Sequence, residues 1–323
     1  MKNKYMFVLV LLLSILVLSF GFTNIYVSQH QQTEDEEFVV VTSFYPMYIA
    51  SMNIIEDTEG VTLKNLSEPQ TGCLHDFQLT PADMKLLSTA DVFIINGGGI
   101  ESFMEEIAKQ YPDLVIFEAC EGIELLCEED AHGEDAGHDN AHDESNDAGE
   151  EHNHDVNAHA WMSVGNYRKQ VENIANGLAN EAPECAESFL ANAKAYDGKL
   201  EELQVEQEVL LTLTKDEEVI LFHCAYDYVA EELGLEAALC MDLDEERQVS
   251  AGEVAEVLEV IKHHEVKYIF AEAMYGTGMC DMVQKEVDVK VVYLDPLNRG
   301  AYDKNSYLEG MRNNLKLLKE AFE

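Results

Sequence analysis

The chain has 323 residues, 47% of them apolar, which is enough for two domains of ordinary size with real cores. A formal net charge of −43 excludes a nucleic-acid partner, because phosphate binding needs the opposite sign. It suits an exported protein that meets cations.

Lys2 and Lys4 precede an uncharged apolar run from Tyr5 to Phe22, which has the charged and apolar regions of a secretory signal. Ser19 and Gly21 are small residues placed as a cleavage site needs. The run is also nearly long enough to span a bilayer, so an uncleaved N-terminal anchor is the alternative. Either way the remainder is expected to be extracytoplasmic, in a periplasm or at the cell surface. Residues 1–28 are therefore read as signal or anchor and 29–37 as an acidic tether.

From Phe38 on, apolar runs of strand length alternate with helical patterns. Phe38–Val41, Val61–Leu66, Val92–Ile95 and Leu114–Phe117 read as strands. Between them lie helices expected over Met47–Glu56, from Thr80-Pro81-Ala82-Asp83, and over Glu101–Gln110. The second of these opens on a Thr cap, a first-turn Pro and an acid three residues on. Continuous apolar strands alternating with helices predict a mainly parallel sheet covered on both faces.

Residues 128–158 interrupt the pattern. This loop carries acids, Gly, Asn and Ser with His132, His138, His142, His152 and His154, and no Lys or Arg occurs between Lys109 and Arg168. Such a composition buries no apolar face, but imidazoles and carboxylates gather cations. It ends on Asn157-Ala158-His159-Ala160-Trp161, with the only Trp of the chain. A helix pattern follows from Val164. After Pro183 a second pattern of apolar residues three and four apart predicts a helix of about thirty residues, about 45 Å long. Gly198 within it is expected to mark a bend.

The second half repeats the alternation. Strands are expected at Val219–Phe222, Ala237–Cys240, Tyr268–Ala271 and Val289–Leu294, with helices at Tyr226–Glu232, from Ser250 to about His263, and Asn305–Ala321. The domain reading is a first lobe over 38–182, a linking helix over 183–213 and a second lobe over 214–323. The fold class is α/β: two lobes, each a roughly four-stranded mainly parallel sheet flanked by helices, joined by a long spine helix.

Ligands of open parallel sheets bind beyond the carboxyl ends of strands. His223 follows Phe222 directly and Asp295 follows Leu294 directly; His75 lies in the loop after the second strand, and His159 ends the loop after the fourth. Two come from each lobe, and three imidazoles with a carboxylate make a four-ligand set that zinc accepts. Glu272, just after a strand, is a partner for a ligating His or an alternative ligand. His263 and His264 end a helix and read as surface residues favoured by its dipole. Seven Cys, an odd number without a CxxC pair, argue against a thiolate zinc knuckle and read mostly as small buried hydrophobes.

These pieces resemble the zinc and manganese solute-binding proteins of bacterial ABC transporters, the ZnuA-like family, from about Phe38 to the C-terminus. The resemblance is carried by Thr42-Ser43-Phe44-Tyr45-Pro46, His75-Asp76-Phe77 with Thr80-Pro81-Ala82-Asp83, and Asp91-Val92-Phe93 with Asn96-Gly97-Gly98-Gly99. It continues in His159 with Trp161, His223 at its strand end, and Leu294-Asp295-Pro296-Leu297. The resemblance implies two αβ lobes joined by a long helix, with the metal between them on His75, His159, His223 and Asp295. It implies delivery of the ion to a membrane ABC permease, no catalysis, and a monomer. Zn2+ is the expected ion, with Mn2+ second, because manganese members tend to carry an acid where His223 stands. The sequence departs from the family at Cys73-Leu74, where Pro usually precedes the first His and where Cys73 could approach the metal. It departs again at Asn157-Ala158, usually Asp-Pro, and at Met162-Ser163-Val164 after the Trp. The rival readings are a zinc-dependent hydrolase with Glu272 as base, although no HExxH occurs, and a metal-binding surface adhesin.

Overall fold

The protein is described from a computed structural model, which covers residues 37–71, 77–127, 156–241, 243 and 247–323. His75, Cys73, the acidic-loop histidines and the N-terminal apolar run lie outside the described residues.

The first half runs β1 (Phe38–Thr42), α1 (Tyr45–Ile55), β2 (Val61–Asn65), α2 (Pro81–Leu87), β3 (Val92–Ile95), α3 (Met104–Gln110) and β4 (Val115–Glu118). Then come α4 (Val164–Glu181) and the long α5 (Ala186–Thr214). The second half runs β5 (Glu218–Leu221), α6 (Asp227–Glu232), β6 (Glu236–Cys240), α7 (Ala251–His264), β7 (Tyr268–Ala271), α8 (Thr277–Val283), β8 (Lys290–Tyr293) and α9 (Ser306–Phe322). The strands form two four-stranded parallel sheets, ordered β2-β1-β3-β4 and β6-β5-β7-β8. This is the expected α/β class.

The strands are apolar on consecutive residues because both faces are covered. β5 shows why: Val219 and Leu221 join the large core shared with the first half, while Ile220 and Phe222 join a second core with Val257 and Ile261 of α7. α5 contributes Phe189, Ala193, Tyr196, Leu200, Leu203, Gln207 and Leu210 at helical spacing, all buried. At 29 residues it is about 44 Å long, and it packs against α1, α4 and α9. The helical run is unbroken across Gly198, the expected bend.

Two helix starts differ from the sequence reading. α1 begins at Tyr45 rather than Met47, with Pro46 in its first turn, where a missing N–H costs nothing. α3 begins at Met104 rather than Glu101, because the Glu101 side chain turns inward to accept the N–H groups of Asn96 and Gly97. The expected caps at Thr80 and Ser250 both form reciprocal boxes, with Asp83 and Glu253. Among the described residues no helix is long and apolar enough to cross a membrane.

Candidate metal site

In each sheet the chain reverses its direction of growth between the two central strands, and crevices open beyond the strand ends at such points. In the first sheet β1 leads to Ser43 and β3 to Asn96; in the second β5 leads to Phe222 and His223, and β7 to Glu272. All five side chains are buried. The Asn96 amide is oriented by Gln170, which donates to its Oδ1 at 2.8 Å, so its Nδ2 donates to the carbonyl of Ala158 at 2.9 Å. That bond fixes the backbone one residue before His159.

His159 and His223 meet across the two halves with ring centroids 5.0 Å apart, 1% and 0% exposed. A polar side chain stands beside Nδ1 of each ring. Asn157 Nδ2 donates to the Cys224 carbonyl at 2.7 Å and to Asp227 Oδ2 at 3.0 Å. Its Oδ1 therefore faces His159, accepting from the backbone N–H at 3.1 Å and lying 2.9 Å from Nδ1. An acceptor there assigns the proton of His159 to Nδ1 and leaves Nε2 with its lone pair, the arrangement that metal-ligating histidines adopt. On the other ring, Nδ1 of His223 lies 3.5 Å from Glu272 Oε2. Arg299 Nη2 stands 3.3 Å from the other Glu272 oxygen, and its guanidinium lies over the Tyr275 ring at 5.4 Å. The buried carboxylate thus has a cation on one side and an imidazole on the other.

Asp295 is tied to both histidine segments through its neighbours. Trp161, two residues after His159, donates Nε1–H to the Pro296 carbonyl at 2.8 Å. Tyr226, three after His223, donates its hydroxyl to the Leu294 carbonyl at 2.7 Å. Asp295 Oδ1 accepts the Leu297 N–H at 2.9 Å. The residue is exposed, yet enough protein crowds its carboxyl that lost hydration raises its pKa; the Leu297 N–H opposes this and Glu272 adds to it. The tight cluster among the described residues is a different trio: His159, His223 and Cys224, whose ligand atoms lie within 4.8 Å of one another. The structure thus brings His159 and His223 together and holds Asp295 in the adjoining loop, while His75 is not among the described residues.

A family model described as the periplasmic zinc-uptake complex component A, ZnuA, matches residues 40–321. The chain belongs to this family. It is 30% identical over 291 residues to the zinc-binding protein AdcA of Streptococcus pyogenes serotype M3, covering 87% of this chain and 55% of that protein. The chain thus spans about half the length of that curated relative. It is 28% identical over 295 residues to the high-affinity zinc uptake system protein ZnuA of Bacillus subtilis, covering 90% of this chain and 89% of that one. Among solved structures it resembles FpvC of Pseudomonas aeruginosa in complex with Mn2+, with a TM-score of 0.72, 25% identity, and coverage of 88% and 98%.

Set against this zinc-uptake family, the sequence reading missed two residues. Asn157 appears there only as a departure from the family pattern, although it is the hub that orients His159. Cys224 is not singled out among seven cysteines that read mostly as small buried hydrophobes, and it is half-buried. The available signal was its position, one residue after a strand-end His.

Proposed function

We propose that this protein is an extracytoplasmic zinc carrier that captures the ion between its two lobes and delivers it to a membrane ABC permease. The observation that carries the reading is the meeting of two buried imidazoles from the two halves, His159 with the Asn157 amide oxygen at its Nδ1 and His223 with the Glu272 carboxylate 3.5 Å from its Nδ1. Backing of this kind fixes the tautomer and raises ligand basicity. His75 and Asp295 complete the proposed ligand set, three nitrogens and one oxygen. The zinc-binding names of the AdcA and ZnuA relatives support zinc as the cargo. Nitrogen ligands favour zinc over Mn2+, which stands second.

The division into lobes over 38–182 and 214–323, with 183–213 linking them, belongs to the same proposal. A rigid α5 packed on both halves favours modest closure around the ion. The reading assigns no catalysis. Glu272, the base a hydrolytic mechanism needs, is held by Arg299 and lies beside Nδ1 of His223, the ring atom turned away from a ligand at Nε2.

Calorimetry on three proteins tests the proposal. The wild type is expected to show one tight zinc equivalent plus weak ones from the acidic loop. Deleting residues 128–155 is expected to keep the tight equivalent and remove weak ones, because ordering a polar loop costs roughly 1–2 kcal/mol per residue. His223→Ala is expected to do the reverse. Tight binding that survives His223→Ala and disappears with the loop would contradict the two-lobe site.

A further inference from the structure

Cys224 stands where a further donor is available. It follows His223 and opens the short turn Cys224–Tyr226. Its carbonyl is held by the Asn157 amide at 2.7 Å, so its backbone is fixed against the His159 segment. Its thiol lies 3.7 Å from Nδ1 of His159, the ring atom that faces Asn157, and one ligand atom from each of His159, His223 and Cys224 forms a group within 4.8 Å. Among the described residues no other group of three His, Cys, Asp or Glu side chains is so arranged.

Tetrahedral zinc bonds nitrogen at about 2.0–2.1 Å and sulfur at about 2.3 Å, which puts neighbouring donors roughly 3.5 Å apart. The trio seen here is wider than such a site by no more than about 1.3 Å. Cysteine has a single side-chain torsion with three staggered positions. One rotation re-aims its sulfur without moving the backbone that Asn157 holds. The two imidazoles already meet. Asp295 is exposed and outside this trio, so a shell drawn from the described residues gains its third donor most directly from sulfur.

We propose that Cys224 is a zinc ligand, its thiolate binding the ion beside His159 and His223 in the position that the reading above gives to Asp295. The inference rests on the zinc-carrier reading above. Coordination replaces the S–H bond with an S–Zn bond and releases the proton to solvent. A thiolate makes the centre softer than an imidazole and carboxylate set, which strengthens its preference for zinc over manganese.

Cobalt(II) substitution of the full-length protein tests this directly. Tetrahedral cobalt gives visible d–d bands, and a cobalt–thiolate bond adds a near-ultraviolet charge-transfer band. The wild type is expected to show both at one equivalent of cobalt. Cys224→Ala and Cys224→Ser are expected to keep the visible bands and lose the charge-transfer band, and their zinc-over-manganese preference is expected to narrow. A wild-type spectrum without the charge-transfer band overturns the proposal and leaves the carrier reading standing. So does a band that survives in Cys224→Ala, because it then comes from another thiol. A wild type that takes up neither cobalt nor zinc overturns both. X-ray absorption at the zinc edge of the loaded wild type and of Cys224→Ala gives a second reading. One sulfur neighbour at about 2.3 Å that disappears in the variant supports the proposal; a wild-type shell of nitrogen and oxygen alone, or a sulfur neighbour that persists in the variant, overturns it.

Discussion

Asn157 is buried and uses its whole polar inventory. Its N–H donates to the Leu126 carbonyl at 2.8 Å, its carbonyl accepts the Tyr228 hydroxyl at 2.6 Å, and its amide joins His159, Cys224 and Asp227. Removing the amide in Asn157→Ala frees His159 to take the other tautomer, and zinc affinity is expected to fall about 10–100-fold. Asn157→Asp keeps the acceptor but sets a carboxylate against Asp227. The exchange Asn157→Asp with Asp227→Asn restores opposite polarity and is expected to bind zinc more tightly than either single variant. Competition titration against a chelator measures all four; an unaltered Asn157→Ala would show that the amide does not orient the ligand. Glu101 makes a second residue-scale prediction. Burial pushes its carboxyl up to about 7 from 4.5, although Asn96, Ser43 and Gly97 donate to it. Between those two values the folded chain holds a proton that the unfolded chain has released, so stability falls as pH rises through the window, by about 3 kcal/mol in all. Glu101→Gln is expected to flatten that part of the profile. Urea midpoints at pH 5 and pH 8 check it, and identical slopes in the two proteins would contradict it.

At the scale of elements, the halves are joined by a side chain of the second that serves the start of a helix of the first. Ser163 caps α4 through the Asn166 N–H, and its hydroxyl donates to Glu232 Oε1 at 2.5 Å. The same carboxylate, at the end of α6, accepts the Gly165 N–H at 3.3 Å and a hydrogen bond from Gln207 of α5. Burial raises the Glu232 pKa, and these donors oppose the rise. Glu232→Ala leaves those donors facing a void and is expected to cost about 2–3 kcal/mol, read as a lower urea midpoint at pH 7. An unchanged midpoint would show that solvent replaces the carboxylate freely. The strands and long helices were legible in the sequence for local reasons. Strands buried on both faces are runs such as Val92–Ile95, and helix starts such as Thr80 and Ser250 carry their own caps. Glu232, Asn157 and Cys224 were not legible, because their partners lie 60 to 70 residues away and leave no period in the chain. Glu101 moved a helix start through bonds from Asn96 and Gly97, five and four residues back, and from Ser43, 58 residues back.

At the scale of the whole molecule, each sheet presents its switch point to the same place. The first supplies Asn96, which holds the approach to His159, and the second supplies His223 with Glu272 behind it. Strand-end logic applied to the sequence picks out His75, His159, His223 and Asp295 one by one; only the fold shows that His159 and His223 meet and that Asp295 stands in the next loop, while His75 lies outside the described residues. The acidic insertion begins and ends beside this place. Cys127 bridges Val156, and Tyr228 binds both Leu126 and Asn157. Its stem therefore stands two residues from His159. The most direct test of the central claim is anomalous diffraction at the zinc absorption edge from crystals grown with one equivalent of zinc. A single strong peak within bonding distance of the His159 and His223 imidazoles is the expected result. A fully occupied peak elsewhere, with none between those two rings, would contradict it.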